Sequence, residues 1–300
     1  MNGFPKILKL IAIKQAEEYE TLFYVGFLLK KNPLLLFGLG VVFLLLITAL
    51  FPSTIATFPE DASVGIHFEQ KLKGPSFSHL FGTDHLGRDI FSRVVFGSRM
   101  SLKIGIIVVA IALLIGVPLG LFAGFWSGKM SEFIMRISDM FLAFPPLLLP
   151  MAIVAALGPS LVNAMIAVAV SWFPWYVRLV RAQVLTVKEK QYVEGAQSIG
   201  VSNTRLLFRH ILPNCMSPII VQASMDMGYA ILATASLSFI GLGARPPDVE
   251  WGLMVTSSRV TFLDFWWTAT FPGLAIFVSV LAFNLIGDGL RDIFDPKLRT

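Results

Sequence analysis

Long charge-free runs, separated by short polar segments, dominate the hydrophobic pattern of this chain. Because about 30 Å of hydrocarbon requires about 20 apolar residues of helix, each such run predicts a membrane-spanning helix. The run from Met140 to Val177 is too long for one helix, and Gly158-Pro159-Ser160 marks a turn near its middle. The pattern predicts six spans, at about residues 33–55, 104–128, 139–157, 160–178, 217–241 and 270–288.

These spans are expected to be α-helices, because every backbone polar group in lipid must find its partner within the protein. Span two carries Gly116, Gly120 and Gly124 at every fourth position, which predicts a face that another helix approaches closely. Prolines interrupt spans three and four, and they either shape the packing or bend helices that line a pathway.

The distribution of Lys and Arg predicts the orientation. Six spans put both termini on one side, where we count 16 basic residues against 7 on the other side. Since basic loops stay in the cytoplasm, both termini are expected there, in the cell (inner or plasma) membrane. The predicted organisation is a cytoplasmic segment at 1–32, the first span at 33–55, an extracytoplasmic loop at 56–100, a five-helix core at 101–290 and a cytoplasmic tail at 291–300.

Composition supports a membrane protein. Of the 300 residues, 55% are hydrophobic and only 14% are charged, whereas soluble domains have about 25% charged residues. The net charge of +5 is explained by basic loops, so no nucleic-acid partner is predicted. The single cysteine, Cys215, excludes an internal disulfide. The first apolar run follows a mixed-charge stretch, so we expect a retained span and no cleaved signal peptide.

The loop at 188–213, on the basic side, is the most patterned polar segment. Tyr192, Val193, Ala196 and Ile199 fall on one predicted helical face. Gly200 is placed to end that helix, and Ser202 is placed to cap a second one, from Asn203 to about His210. Pro213 is expected to end the second helix, with Ser217-Pro218 starting span five. Periodicity alone also fits a helix that lies on the lipid surface.

The spacing in this loop resembles a known motif. Glu194-Gly195-Ala196, followed by Gly200 and then Ile211-Leu212-Pro213, resembles the EAA loop of binding-protein-dependent ABC importer permeases. The usual second residue, alanine, is Gly195 here. The resemblance implies that the loop is a coupling helix seated in a groove of a cytoplasmic ATPase. The residues that carry this expected contact are Tyr192, Val193, Glu194, Gly195, Ala196, Ile199 and Gly200.

Further motifs extend the resemblance from about residue 33 to the end of the chain. They include Leu80-Phe81-Gly82-Thr83-Asp84 with Gly87-Arg88-Asp89 and Ser92-Arg93, then Ile134-Met135-Arg136 with Asp139, Glu250-Trp251-Gly252, and Asn284-Leu285-Ile286-Gly287-Asp288-Gly289-Leu290-Arg291-Asp292. Together they resemble the C-type permease of the dipeptide, oligopeptide and nickel importer group, and so imply the type I ABC importer permease fold.

That resemblance implies a set of partners: a homologous B-type permease that completes a heterodimer, two ABC ATPase subunits and an extracytoplasmic substrate-binding protein. It implies import of di- or oligopeptides, with nickel complexes as the alternative. The sole Gly-Lys pair, Gly128-Lys129, lacks the rest of a phosphate-binding loop. We therefore expect no enzyme activity and no cofactor in this chain, with ATP hydrolysed by partner subunits.

Asp226 is the one charge in the interior of a predicted span, with Met225 and Met227 beside it. Because a carboxylate at membrane depth is costly, we expect it to face the substrate pathway or a buried polar partner. A secondary transporter or channel remains an alternative function, although it would need more intramembrane charges. An intramembrane enzyme would need paired catalytic groups, and none pair.

The loops at 56–100 and 242–271 are expected to face outward and to dock the binding protein. Trp251, Trp266 and Trp267 could serve there or as anchors at the membrane interface. His79, Asp84, His85 and Asp89 are predicted to cap helices and form ion pairs, in preference to binding a metal.

Overall fold

The computed structural model describes residues 32–62 and 65–294, and these residues form an all-α fold. The α-helices, in chain order, are α1 (Pro33–Leu50), α2 (Pro52–Ile55), α3 (Ile90–Phe125), α4 (Lys129–Leu142), α5 (Leu148–Leu157), α6 (Leu161–Lys188), α7 (Gln191–Ser198), α8 (Asn203–Leu206), α9 (Leu212–Phe239), α10 (Trp251–Ser257) and α11 (Trp267–Phe294). Two short 3₁₀ turns, at Pro59–Ala62 and Phe68–Gln70, lie between α2 and α3.

Four helices, α1, α3, α6 and α11, are long and apolar enough to cross a membrane. The predicted fifth span corresponds to α9, which has 28 residues and carries Asp226. The predicted third span is divided between α4 and the ten-residue α5. The break falls at Pro145-Pro146, since proline disfavours helix in the residue before it and removes a backbone donor.

Two helices extend beyond the predicted spans. Helix α3 begins at Ile90, inside the segment predicted as the 56–100 loop, because Asp89 accepts a hydrogen bond from the Ser92 backbone N–H (2.8 Å) and caps the helix there. Helix α6 continues to Lys188, ten residues beyond the predicted end of span four. The charge-free runs therefore predicted the apolar part of these helices and not their full length.

The centre of the molecule is the long contact between α3 and α6. The predicted glycine face of α3 is confirmed. A Cβ added at Gly116 would lie 2.5 Å from Tyr176 Cβ, and one added at Gly120 would lie 2.7 Å from Val180 Cβ. Gly124 meets Val184 in the same way. The absence of side chains at these positions lets the two backbones approach.

The remaining long helices pack around this pair. Helix α9 contacts α3, α6 and α11, while α1 packs on α11 and α3. Asn32 caps α1 by accepting the Leu35 backbone N–H at 3.1 Å. The loop between α6 and α9 and the segment between α1 and α3 lie at opposite ends of the α3–α6 pair, because they join opposite ends of these helices.

Candidate functional site: the coupling loop, the outer segments and a buried carboxylate

Helix α7, in the loop between α6 and α9, is held on the body of the protein by Val193 and Ala196. Val193 is fully buried, and Ala196 is 9% exposed. Both belong to an apolar cluster that joins the ends of α3, α6 and α9, formed by Leu121, Phe125, Val180, Val184, Val187, Leu206, Leu207, Ile211, Cys215 and Ile219. This end of the loop is therefore built into the fold.

The other predicted members of this helical face point elsewhere. Tyr192 is 47% exposed and Ile199 is 82% exposed, so Val193 and Ala196 are the members of the predicted face that pack on the body of the protein. Val193 and Ala196 are three residues apart and meet the core, whereas Tyr192 and Ile199, seven residues apart, lie together on the neighbouring, exposed side of the helix. Glu194 and Gly195 are exposed as well. The helix thus presents two large apolar side chains and a carboxylate to the outside.

Gly200 ends α7 as the sequence predicted. Its φ is +80°, in the left-handed region that residues with a Cβ disfavour. The Gly200 backbone N–H donates to the Gln197 carbonyl (2.9 Å), and the Val201 N–H donates to the Ala196 carbonyl (3.2 Å). This pair of bonds is a Schellman motif, which satisfies the last carbonyls of the helix and turns the chain back toward the protein.

The second half of the loop differs from the prediction. Ser202 precedes α8, but its side chain makes no capping hydrogen bond. Helix α8 passes into one π-helical turn, Leu207–Ile211, and then directly into α9. Pro213 lies in the first turn of α9, directly after the π-helical turn, so its missing N–H removes one backbone hydrogen bond from the continuous helix. Span five therefore begins before Ser217-Pro218, and Pro218 lies inside the helix.

On the opposite side, the residues weighed as metal ligands serve the local structure. Arg88 pairs with the Asp84 carboxylate at 2.7 Å, and Asp84 also accepts the backbone N–H of Leu86 at 2.8 Å. His79 Nδ1 lies 2.9 Å from Asp89, the cap of α3. Burial lowers the pKa of His85. Among residues 32–62 and 65–294, no cluster of three His, Cys, Asp or Glu side chains is arranged to hold a metal.

Sequence reasoning missed Asp61, which joins the segment after α2 to the start of α3. Its side chain is buried, accepts the Asp89 backbone N–H at 2.8 Å and lies 2.9 Å from His67 Nε2. Arg93 Nη1 donates to the Asp61 carbonyl at 3.2 Å. Asp61 follows Pro59-Glu60 in a segment without periodicity, so the sequence carried no signal for this long-range contact.

Two of the three tryptophans proposed as interface anchors are structural. Trp251 is 1% exposed and donates its indole N–H to the Val94 carbonyl at 2.9 Å. Trp267 donates to the Thr83 carbonyl at 3.3 Å. The Trp251 ring thus fastens α10 to α3, and the Trp267 ring fastens the start of α11 to the segment before α3. Trp266 is largely exposed and is the one that a bilayer or a partner can still reach.

Glu250 is the N-cap of α10, the short helix that starts at Trp251. Its carboxylate accepts the backbone N–H groups of Gly252 (2.7 Å) and Leu253 (2.8 Å), which otherwise lack partners at a helix start. Burial raises the pKa of Glu250, while these two hydrogen bonds act in the opposite direction. This cap fixes the position of Trp251 against α3.

Asp226 lies inside the protein and is only 3% exposed. Gln222, one turn earlier on α9, donates its amide N–H to Asp226 Oδ1 at 2.9 Å. Tyr176 and Trp172 of α6 face the same carboxylate, but Asp226 Oδ2 has no hydrogen-bond partner in the part of the chain that the structure describes. The structure thus gives Asp226 a buried polar partner, one of the two environments predicted for it.

The two flanking methionines lie on different sides of α9. Met225 contacts Gly287 of α11, whereas Met227 packs against Gly105 of α3. Neighbours at positions 225 and 227 point about 200° apart on a helix, so they cannot line one passage together. Met225 lines a cavity.

That cavity, of about 440 Å³, lies between α6, α9 and α11, on the side of the coupling loop. Its walls combine apolar side chains with four polar ones. The lining residues are Leu179, Gln183, Ser217, Pro218, Val221, Gln222, Met225, Arg291 and Phe294. Gln222 is thus shared between the cavity wall and the buried carboxylate of Asp226.

Comparison with known proteins identifies a family and several relatives. Residues 116–300 match the family model described as binding-protein-dependent transport system inner membrane component. The chain is 48% identical, over 270 residues and 90% of each chain, to a probable D,D-dipeptide transport system permease protein of Escherichia coli strain K12. It is 46% identical over 272 residues to a dipeptide transport system permease protein of Alkalihalophilus pseudofirmus, covering 91% of this chain and 88% of the relative. A glutathione transport system permease protein of Pectobacterium atrosepticum is 46% identical over 261 residues, which cover 87% of this chain and 86% of the relative.

Proposed function

The chain belongs to the binding-protein-dependent transport system inner membrane components, and from this membership we propose that it imports short peptides as one permease subunit of an ABC transporter. The observation that carries the proposal is 48% identity, over nine-tenths of both chains, to a permease named for D,D-dipeptides. The names of the other relatives above specify dipeptides and glutathione. Their peptide substrates favour a peptide over the nickel-complex alternative.

The proposed mechanism couples ATP hydrolysis in other subunits to movement of this chain's helices. Residues 191–200 would seat in an ATPase groove through Tyr192 and Ile199, which are large, apolar and exposed, while the exposed Glu194 would supply a charge on another side of the helix. Val193 and Ala196 are buried against α3, α6 and α9, so a push on α7 would be transmitted to three long helices as a rigid contact.

The remaining partners are proposed on the same basis. A homologous B-type permease would complete the pathway, two ABC ATPases would bind on the side of α7, and an extracytoplasmic binding protein would deliver the peptide. The segments at 56–89 and 242–266 would face that binding protein. Trp251 of the second segment bonds to Val94 of α3, and Thr83 of the first segment accepts from Trp267 of α11, so both segments are fastened to neighbouring ends of the long helices. Both termini would be cytoplasmic.

A secondary transporter or channel is less well supported. Such proteins use intramembrane charges to bind coupling ions, and Asp226 is engaged by Gln222. The coupling loop would also have no role in it. We propose instead that Asp226 belongs to the substrate pathway, together with Met225 at the cavity wall. Met227 was also predicted to line this pathway, but we no longer include it because it packs against α3.

The decisive experiment is affinity purification of the tagged chain from mildly solubilised native membranes, followed by mass spectrometry. An importer subunit should recover a second permease and ABC ATPases in stoichiometric amounts, and the purified complex should take up dipeptides in proteoliposomes with ATP and the binding protein. Recovery of the chain alone, with ATP-independent uptake, would support the secondary transporter instead.

A further inference from the structure

The cavity between α6, α9 and α11 has the properties of a site for a small polar molecule. Its volume, about 440 Å³, falls in the range of about 300–1,000 Å³ that small-molecule sites occupy. Leu179, Val221 and Phe294 give it apolar walls, while Gln183 and Ser217 add hydrogen-bonding groups. Apolar walls with a few placed polar groups are the usual composition of a binding pocket.

The cavity is also electrically polarised. Arg291 of α11 supplies a positive charge at one part of the wall, and Gln222 of α9 lies at another. Behind Gln222 is Asp226, whose Oδ1 accepts the Gln222 amide at 2.9 Å and whose Oδ2 has no partner among the described residues. Gln222 therefore stands between the cavity and a carboxylate that Tyr176 and Trp172 face from α6.

The packing of α9 on α11 sets the distance between these charges. Gly228 lies against Val280, and Gly287 lies against Met225 and Val221, so the two helices are antiparallel. Arg291 lies four residues after Gly287 on α11. Because α9 runs in the opposite direction, Asp226 of α9 lies on the other side of the Gly287 contact from Arg291. At a rise of 1.5 Å per residue, the two charged positions are about 10 Å apart along the helix axes.

That separation matches a short peptide. An extended chain spans about 3.3–3.6 Å per residue, so the ammonium and carboxylate of a tripeptide lie about 10 Å apart. We infer that this cavity is a transient site for zwitterionic tripeptides, in which Arg291 binds the carboxylate and Asp226, released by Gln222, binds the ammonium. The inference rests on the proposed function and adds the recognition of both peptide termini within the permease.

The test uses the complete transporter, reconstituted in proteoliposomes with its ATPases and binding protein. Uptake of trialanine, N-acetyl-trialanine and trialanine amide is measured for the wild type, Arg291→Gln and Asp226→Asn. Selection by the binding protein is common to all three proteins, so it cancels when variant uptake is divided by wild-type uptake for the same peptide.

Arg291→Gln should lower trialanine uptake about tenfold, as expected for one lost charge-assisted hydrogen bond, and should leave trialanine amide at the wild-type rate. Asp226→Asn should lower trialanine uptake and spare the N-acetyl peptide. Arg136→Gln, which removes an exposed arginine of α4 outside the cavity, controls for net charge. Equal loss of all three peptides in the Arg291 and Asp226 variants would overturn the inference.

A second measurement covers the case in which capped peptides are poor substrates. A photo-crosslinking residue at Ser217, in the cavity wall, should capture radiolabelled trialanine during ATP turnover, and Arg291→Gln should reduce the yield about tenfold. Capture of anionic phospholipid in place of peptide would identify a lipid site and refute the inference. A wild-type complex that transports no peptide at all would refute the proposed function instead.

Discussion

At the scale of single residues, the coupling loop depends on Gly200 and Glu194 for different reasons. Gly200→Val forces a β-branched residue to a φ of +80°, which costs about 1–2 kcal/mol and should unwind the end of α7. Glu194→Lys keeps the helix but reverses an exposed charge. We expect both variants to insert normally in the membrane and to lose ATP-driven uptake, measured together with ATPase recovery in the purified complex.

Gly158→Val provides the matched control for backbone strain. Gly158 has a φ of +90°, and, like Gly200, it has no atom within 4 Å of an added Cβ. It lies between α5 and α6, at the opposite end of α6 from α7. Its variant should bear the same strain and still recover the ATPase. Normal uptake in Gly200→Val and Glu194→Lys would remove the coupling role from this loop.

At the scale of helices, the α3–α6 contact decides whether the core forms. A Cβ at Gly120 would lie 2.8 Å from the Val177 carbonyl oxygen and 2.7 Å from Val180 Cβ. Backbone cannot move aside as a flexible side chain can, so Gly120→Val should destabilise the fold by about 1–3 kcal/mol. Thermal unfolding in detergent, followed by size-exclusion chromatography, should show a lower midpoint and less assembled complex.

Gly273 of α11 is the control for this prediction, because no heavy atom lies within 4 Å of its added Cβ. Gly273→Val introduces the same side chain into a helix of similar length without a steric conflict. Its unfolding midpoint should match that of the wild type. A similar loss in both variants would mean that helix propensity, and not the α3–α6 contact, controls stability.

At the scale of the whole molecule, orientation in the membrane is directly testable by cysteine labelling. The sole native cysteine, Cys215, is fully buried, so the wild-type protein should give no labelling signal. Ser76, Ser257 and Ser198 are exposed, the first two in the proposed outer segments and the third at the end of α7. Ser76→Cys and Ser257→Cys should react with an impermeant maleimide in intact cells, and Ser198→Cys only after permeabilisation. The reverse pattern would invert the proposed topology.

Patterns that are local along the chain were sufficient for several conclusions. Charge-free runs predicted the membrane helices, since hydrocarbon excludes unpaired charge over a whole segment. The glycine spacing of span two predicted a close helix contact, and Gly200 predicted the end of α7, because backbone conformation there depends on the residue itself. The motif spacing predicted the family that the comparison then confirmed.

Only the tertiary structure decided which side chains meet. It divided the predicted face of α7 into Val193 and Ala196 against the core and Tyr192 and Ile199 outside. It placed Met227 away from Met225, buried Trp251 and joined Asp61 to Asp89 across 28 positions. It also enclosed Gln222 between Asp226 and a cavity bearing Arg291. Such contacts depend on how helices distant in sequence pack, and periodicity along one helix carries no information about its neighbours.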